Sequence, residues 1–177
     1  MAIGKNCSIC GSKELAKTKR VHHFLESGLL NVYLVDVDVL ECRICGEEIV
    51  SIPRAPELMN CIAEYIITKP DLLTGREIRF LRKNLLLRIN ELAALLGVDR
   101  VTVSRWENEE KKPSRLADRL IRLLYAQETK VSEEAHQKLS RHLREQELHS
   151  RDYVWRISAN DLACATEHSS DSSSSPA

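Results

Sequence analysis

The sequence predicts an α+β chain in two parts: a small antiparallel β module stapled by cysteines, then an all-α domain. Three observations predict it: the pairs Cys7/Cys10 and Cys42/Cys45, alternating apolar residues between them, and helical periodicity with cap residues from Thr74 to Tyr125. A chain of 177 residues with 43% hydrophobic content can bury one or two small cores. The motif order divides it into a β module over 1–53, a connecting helix and linker over 54–72 and a helical domain over 73–126. A charged, helical extension over 127–160 and a disordered Ser-rich tail over 161–177 follow.

Each Cys-x-x-Cys spacer lets two thiolates converge on one ion. Gly11 and Gly46 follow the pairs, where glycine supplies the positive φ that such a knuckle can require. Two knuckles separated by 31 residues offer four thiolates, the closed tetrahedral set of structural zinc, so one structural Zn2+ per chain is expected. No ligand position is left for water, which argues against hydrolytic chemistry, and no catalytic constellation is visible. Disulfides compete with this reading but need an oxidising compartment. The first five residues carry no apolar signal core and no apolar stretch is long enough to span a membrane, so a cytoplasmic protein without membrane contact is expected. Iron competes too, since rubredoxin presents two similar knuckles and carries electrons, and thiolates alone do not choose between the metals. Only Phe24 and Tyr33 among aromatics lie between the pairs to shield such a centre. Cys61 reads as a buried small hydrophobe.

Between the knuckles, residues 17–24 and 31–41 read as strands joined across the polar turn Glu26-Ser27-Gly28. In 33–39, β-branched residues alternate with Asp36 and Asp38, which predicts one buried and one wet face. Residues 57–68 place Leu58, Ile62, Tyr65 and Ile66 at helical spacing, and Lys69-Pro70-Asp71 stops them. That helix is expected to pack on the β module or to bridge the two parts.

Thr74-Gly75-Arg76-Glu77 is a capping box opening a helix to about Asn84 that buries Ile78 and Leu81. Residues 89–96 make a second helix. Gly97 suits its left-handed C-terminal position and Asp99 the next N-cap. In the third helix, 100–107, Val103 and Trp106 face the core with Leu92 and Val98, which leaves Thr102, Arg105, Arg100 and Val101 outward. Ser114 caps a fourth helix carrying the apolar stripe Leu116, Leu120, Leu123 and Leu124.

Formal net charge is zero, but residues 74–125 hold 12 Lys/Arg against 7 Asp/Glu, a local +5. Positive charge on the segment with the outward Arg and Thr face fits double-stranded DNA: arginine can bridge O6 and N7 of guanine, and valine or threonine can meet thymine methyls. Candidate contacts are Arg88, Arg100, Val101, Thr102, Ser104 and Arg105. One such helix covers few base pairs, so a homodimer through the Leu116, Leu120, Leu123 and Leu124 stripe and a palindromic site are expected; the competing reading makes that stripe intramolecular core.

Leu92-Ala93, Leu96-Gly97-Val98, Val103-Ser104-Arg105-Trp106-Glu107-Asn108 and Pro113-Ser114 resemble the Xre/Cro-type helix-turn-helix domain. With the knuckles ahead of them, their order resembles the MqsA family, also called YgiT-type zinc finger proteins. The resemblance implies a structural zinc domain that, in antitoxin members, holds a toxin ribonuclease, and a dimeric helix-turn-helix domain that represses an operon. It also implies base contacts from an asparagine and an arginine four residues apart; Arg105 matches the arginine, while Val101 stands at the asparagine position. Glu109 stands where such domains commonly carry a left-handed glycine, so strain there or a turn taken by Asn108 is expected. Residues after Tyr125 extend beyond compact members. The reading is therefore a DNA-binding regulator acting as a repressor, with a toxin-binding antitoxin as the first alternative and a rubredoxin-like electron carrier fused to a DNA-binding domain as the second.

Overall fold

A computed structural model describes residues 6–52, 54–144, 153–158 and 164–168, the last two stretches as backbone. The described residues fall into two compact units, one drawn from 1–25, 30–55 and 152–177, the other from 26–29 and 56–151.

The first unit is built around a central strand. β1 (Leu15–His23) pairs antiparallel with β2 (Val32–Cys42), from Leu15 opposite Cys42 to His23 opposite Tyr33. The alternation predicted for β2 breaks in the middle. Arg20 faces Val37 but His22 faces Leu34, so Val35 and Asp36 together oppose Val21, and Asp36 takes φ 57°. This is a β-bulge, and aspartate tolerates the left-handed backbone better than its β-branched neighbours. The bulge shifts the phase of burial: Val32 and Leu34 before it, and Val37 and Val39 after it, are all buried.

A strand not foreseen in the sequence, β3 (Glu48–Ser51), turns back on β2 and pairs from Glu48 opposite Glu41 to Ser51 opposite Asp38. Those two glutamates are like charges across a strand pair. Arg20 resolves the conflict by bonding both, Glu41 at 2.8 Å and Glu48 at closer range. Two further strands, β4 (Tyr153–Ser158) and β5 (Cys164–His168), complete the sheet, with β4 parallel to β2 and β5 antiparallel to β4. They lie in stretches read as helical extension and disordered tail. Tyr153-Val154-Trp155-Arg156-Ile157 is dense in strand-favouring residues, a local preference that the charged surroundings obscured. Residues 169–177, the serine run, lie outside the described residues.

The second unit is helical: α1 (Ala55–Thr68), α2 (Gly75–Asn84), α3 (Ile89–Leu95), α4 (Arg100–Glu107), α5 (Arg115–Glu128) and α6 (Glu133–Arg144). The helix read as a connector, α1, belongs to this body, where it buries Leu58, Ile62, Ala63, Ile66 and Ile67; Cys61 and Tyr65, beside that stripe, are half-buried. Its end is held by Arg122. That guanidinium is fully buried, donates to the carbonyls of Ile67 at 3.0 Å, Lys69 at 2.7 Å and Asp71, and is paired with Asp118 at 2.9 Å. Asp118 in turn accepts the Leu73 N–H at 2.7 Å. A helix end leaves orphan carbonyls, and here a buried cation from α5 collects them. Glu64 on α1 clasps the start of α6, accepting from the Ser132 N–H at 2.6 Å and hydroxyl at 2.8 Å. Among the described residues no helix is long and apolar enough to cross a membrane.

Candidate metal centre and nucleic-acid interface

The first unit gathers Cys7, Cys10, Cys42 and Cys45, whose sulfurs all lie within 4.8 Å of one another. Two matching knuckles place them. Gly11 donates to the Cys7 carbonyl at 3.0 Å and Gly46 to that of Cys42 at 2.9 Å, with φ of 71° and 74° at the two glycines. The knuckles are braced against the strands: Cys7 N–H meets the Ser12 carbonyl at 2.7 Å and Arg43 N–H that of Glu14 at 2.9 Å. Cys7 and Cys42 are buried, Cys10 and Cys45 exposed.

As anions the four sulfurs repel one another. Backbone N–H groups of the Cys45 and Ile44 peptides lower the Cys42 thiol to about 7, and those of Cys10 and Ile9 lower Cys7. The Glu47 N–H pulls Cys45 down as well, yet burial and the crowd of sulfurs push it up to about 12. Cys10 is raised too: the Ser12 N–H lowers it, but the thiol of Cys42 and burial outweigh that. A cation held among the four would favour the thiolate form of each. The donor set fits one: sulfurs at 2.3 Å around a tetrahedral ion would lie about 3.8 Å apart, and the Cys7–Cys45 and Cys10–Cys42 separations are 3.6 and 3.5 Å. The four cysteines can hold a metal ion, and their thiols are free of disulfides.

In the helical unit, α3 and α4 are two short helices joined by a tight turn. Gly97 takes φ 65° between them, and the Val98 N–H closes onto the Ala93 carbonyl at 3.0 Å. Asp99 stands at the N-cap of α4 without a side-chain cap bond. Thr74 and Ser114 cap α2 and α5 through their hydroxyls, at 3.3 Å to the Glu77 N–H and 3.1 Å to the Ala117 N–H, and Glu77 returns to the Thr74 N–H at 2.7 Å. On α4, Val103 and Trp106 are buried against the core that also contains Leu92. Arg100, Val101 and Arg105 are exposed, as is Arg88, while Thr102 and Ser104 are half-buried.

Two residues to which the sequence reading gave no packing role set this helix in place. Glu107, buried at the end of α4, receives Arg82 at 2.6 and 2.8 Å and Arg79 at 3.3 Å, and Arg79 also meets Asn108 at 2.7 Å. Arg79, Arg82 and Arg122 thus serve the fold, and fewer arginines than composition suggests are left for a phosphate. Gly75 is the second: a Cβ there would sit 2.1 Å from the Trp106 carbonyl oxygen, so α2 and α4 meet backbone to backbone. The strain expected near Glu109 falls on Glu109 itself, at φ 62°, and Asn108 stays right-handed at φ −93°. Leu86 is left-handed also, at φ 58°.

The leucine stripe of α5 does not form the core. Leu116, Leu120 and Leu123 are 68%, 40% and 46% exposed and Leu124 is half-buried, because α5 turns Ala117, Ile121, Tyr125 and Ala126 inward instead.

A family model described as the antitoxin component of a bacterial toxin-antitoxin system, MqsA, matches residues 5–135, about three quarters of the chain. No curated protein and no solved structure matches the chain. The match spans both the knuckles and the pair α3 and α4, and the chain belongs to the MqsA antitoxin family.

Proposed function

We propose that the protein is a homodimeric, sequence-specific DNA-binding regulator, acting as a repressor, with one structural Zn2+ per chain. The observation that carries this reading is the division of α4: Val103 and Trp106 anchor it while Arg100, Val101 and Arg105 stand free on its outer side. Arg105 reads a guanine in the major groove, Val101 packs on thymine methyls, and Thr102 and Ser104 support them. Arg88 and Arg100 hold phosphates. The exposed Leu116, Leu120 and Leu123, with Leu124, join two copies across a two-fold axis and set the paired helices about one DNA turn apart, roughly 34 Å, on a palindromic operator.

Competition binding tests the base-reading role. Arg105→Ala should lose roughly 1–3 kcal/mol of discrimination at one base pair of each half-site. Arg88→Ala or Arg100→Ala should weaken all sequences alike and flatten the salt dependence. Unchanged discrimination in Arg105→Ala removes the role. Light scattering tests the dimer, which Leu120→Glu should dissociate at micromolar concentration.

Family membership favours a second reading equally, an antitoxin that binds a toxin ribonuclease and represses its own operon. A small toxin gene beside this one, whose growth arrest co-expression of this chain relieves, supports it. The metal separates both from a rubredoxin-like carrier, since a ferric thiolate centre is red and zinc is colourless.

A further inference from the structure

The outer edge of β2 is divided in two by its bulge. β3 covers only Asp38 to Glu41, on the far side of Asp36. On the near side, Val32 to Val35 would present unpaired N–H and C=O groups, the kind of edge that recruits a strand from another chain. Here β4 covers it, running parallel with Val32 opposite Trp155 and Val35 opposite Ser158.

That cover is the weakest seam of the sheet. It has four registered pairs, against eight between β1 and β2, and parallel pairing is slightly less stable per residue than antiparallel. In sequence it follows the entire helical unit, whereas β1 reaches β2 through a short connection. It also lies outside residues 5–135, so the part of the chain that matches the family builds this edge without it. We propose that the Val32–Val35 edge of β2 is a strand-acceptor site and that the β4–β5 hairpin is its exchangeable occupant, so that a partner adds a strand there only by displacing β4. The segment it takes is extended, free of proline, parallel to β2, and apolar at alternate positions to continue the buried face of Val32 and Leu34. The inference goes beyond the proposed function and holds whether or not α4 reads DNA.

The probe is a synthetic peptide of residues 151–170, offered to the metal-loaded full chain and to its Arg156→Pro and Ile157→Pro variants. Successive residues of β4 turn their N–H groups alternately to β2 and to β5, so one of the two prolines breaks the β2 ladder. That variant should keep its metal and β1–β2 protection, lose amide protection at residues 32–35 by about tenfold or more, and bind the peptide about tenfold more tightly than the unaltered chain. Retained protection at 32–35 in both variants, or no gain in peptide binding in either, overturns the proposal. A dimer of the unaltered chain that this proline dissolves overturns it in favour of a strand exchanged between two copies. Should both variants lose their metal, the unaltered chain decides: excess peptide must release the amides of 153–158 while 32–35 stay protected, and no release overturns the proposal.

Discussion

The β unit and the helical unit have opposite relations to charge. In the first, four sulfurs crowd within 4.8 Å and the buried residues of β2 are only Val32, Leu34, Val37, Val39 and Cys42. In the second, α1 through α5 supply a core of Leu58, Ile62, Ile66, Ile78, Leu81, Leu92, Val103, Trp106 and Ile121, and the buried charges other than Asp71, whose carboxylate is buried without a hydrogen-bond partner, are matched within the chain. Asp118 with Arg122, Glu107 with Arg82, and Lys69 with Glu77 at 2.8 Å are each complete. The difference teaches where each unit is vulnerable: the first at the four sulfurs that a metal ion would join, the second through any change that leaves a paired charge alone.

Metal removal should separate the units most sharply. Structural sites of this kind bind zinc with roughly 10–16 kcal/mol, which for so small a core is folding free energy. Chelation should therefore abolish amide protection along β1 and β2 while α2–α5 keep theirs, and Cys42→Ser should do the same without chelator. Hydrogen exchange with metal analysis checks it, and a β unit that stays protected without metal breaks the comparison.

Arg122→Ala is the counterpart in the helical unit. It strands Asp118 and the carbonyls of Ile67, Lys69 and Asp71 in the interior, and breaking a buried pair costs about 3–5 kcal/mol. Thermal unfolding of the helices should shift down while metal content stays at its original value. Gly75→Ala should cost less, about 1–3 kcal/mol, through the collision with the Trp106 carbonyl, and should weaken DNA binding by tilting α4. Denaturant titration measures the first effect and competition binding the second.

The smallest effect has the opposite sign. Glu109→Gly should stabilise the helical unit by about 1 kcal/mol, because a left-handed backbone costs an L side chain about that much and glycine almost nothing. An unchanged midpoint would mean that the Glu109 side chain, which reaches Arg76 at 4.0 Å, offsets its own strain.

The sequence alone determined what rests on local chemistry. The knuckle spacing and its glycines, the Thr74 and Ser114 caps, the turn at Gly97 and the inward pair Val103 and Trp106 each depend on residues a few positions apart, and each stands where periodicity and cap preference place it. Tertiary structure decided what depends on distant partners. The bulge at Asp36 needed β1 to define the register, β3 needed β2 to pair with, and the inward side of α5 was chosen by Asp118 and Arg122 finding the end of α1. The competing reading of the α5 leucine stripe as core fails because burial goes to the face whose partners are already there, and only the folded chain brings those partners together.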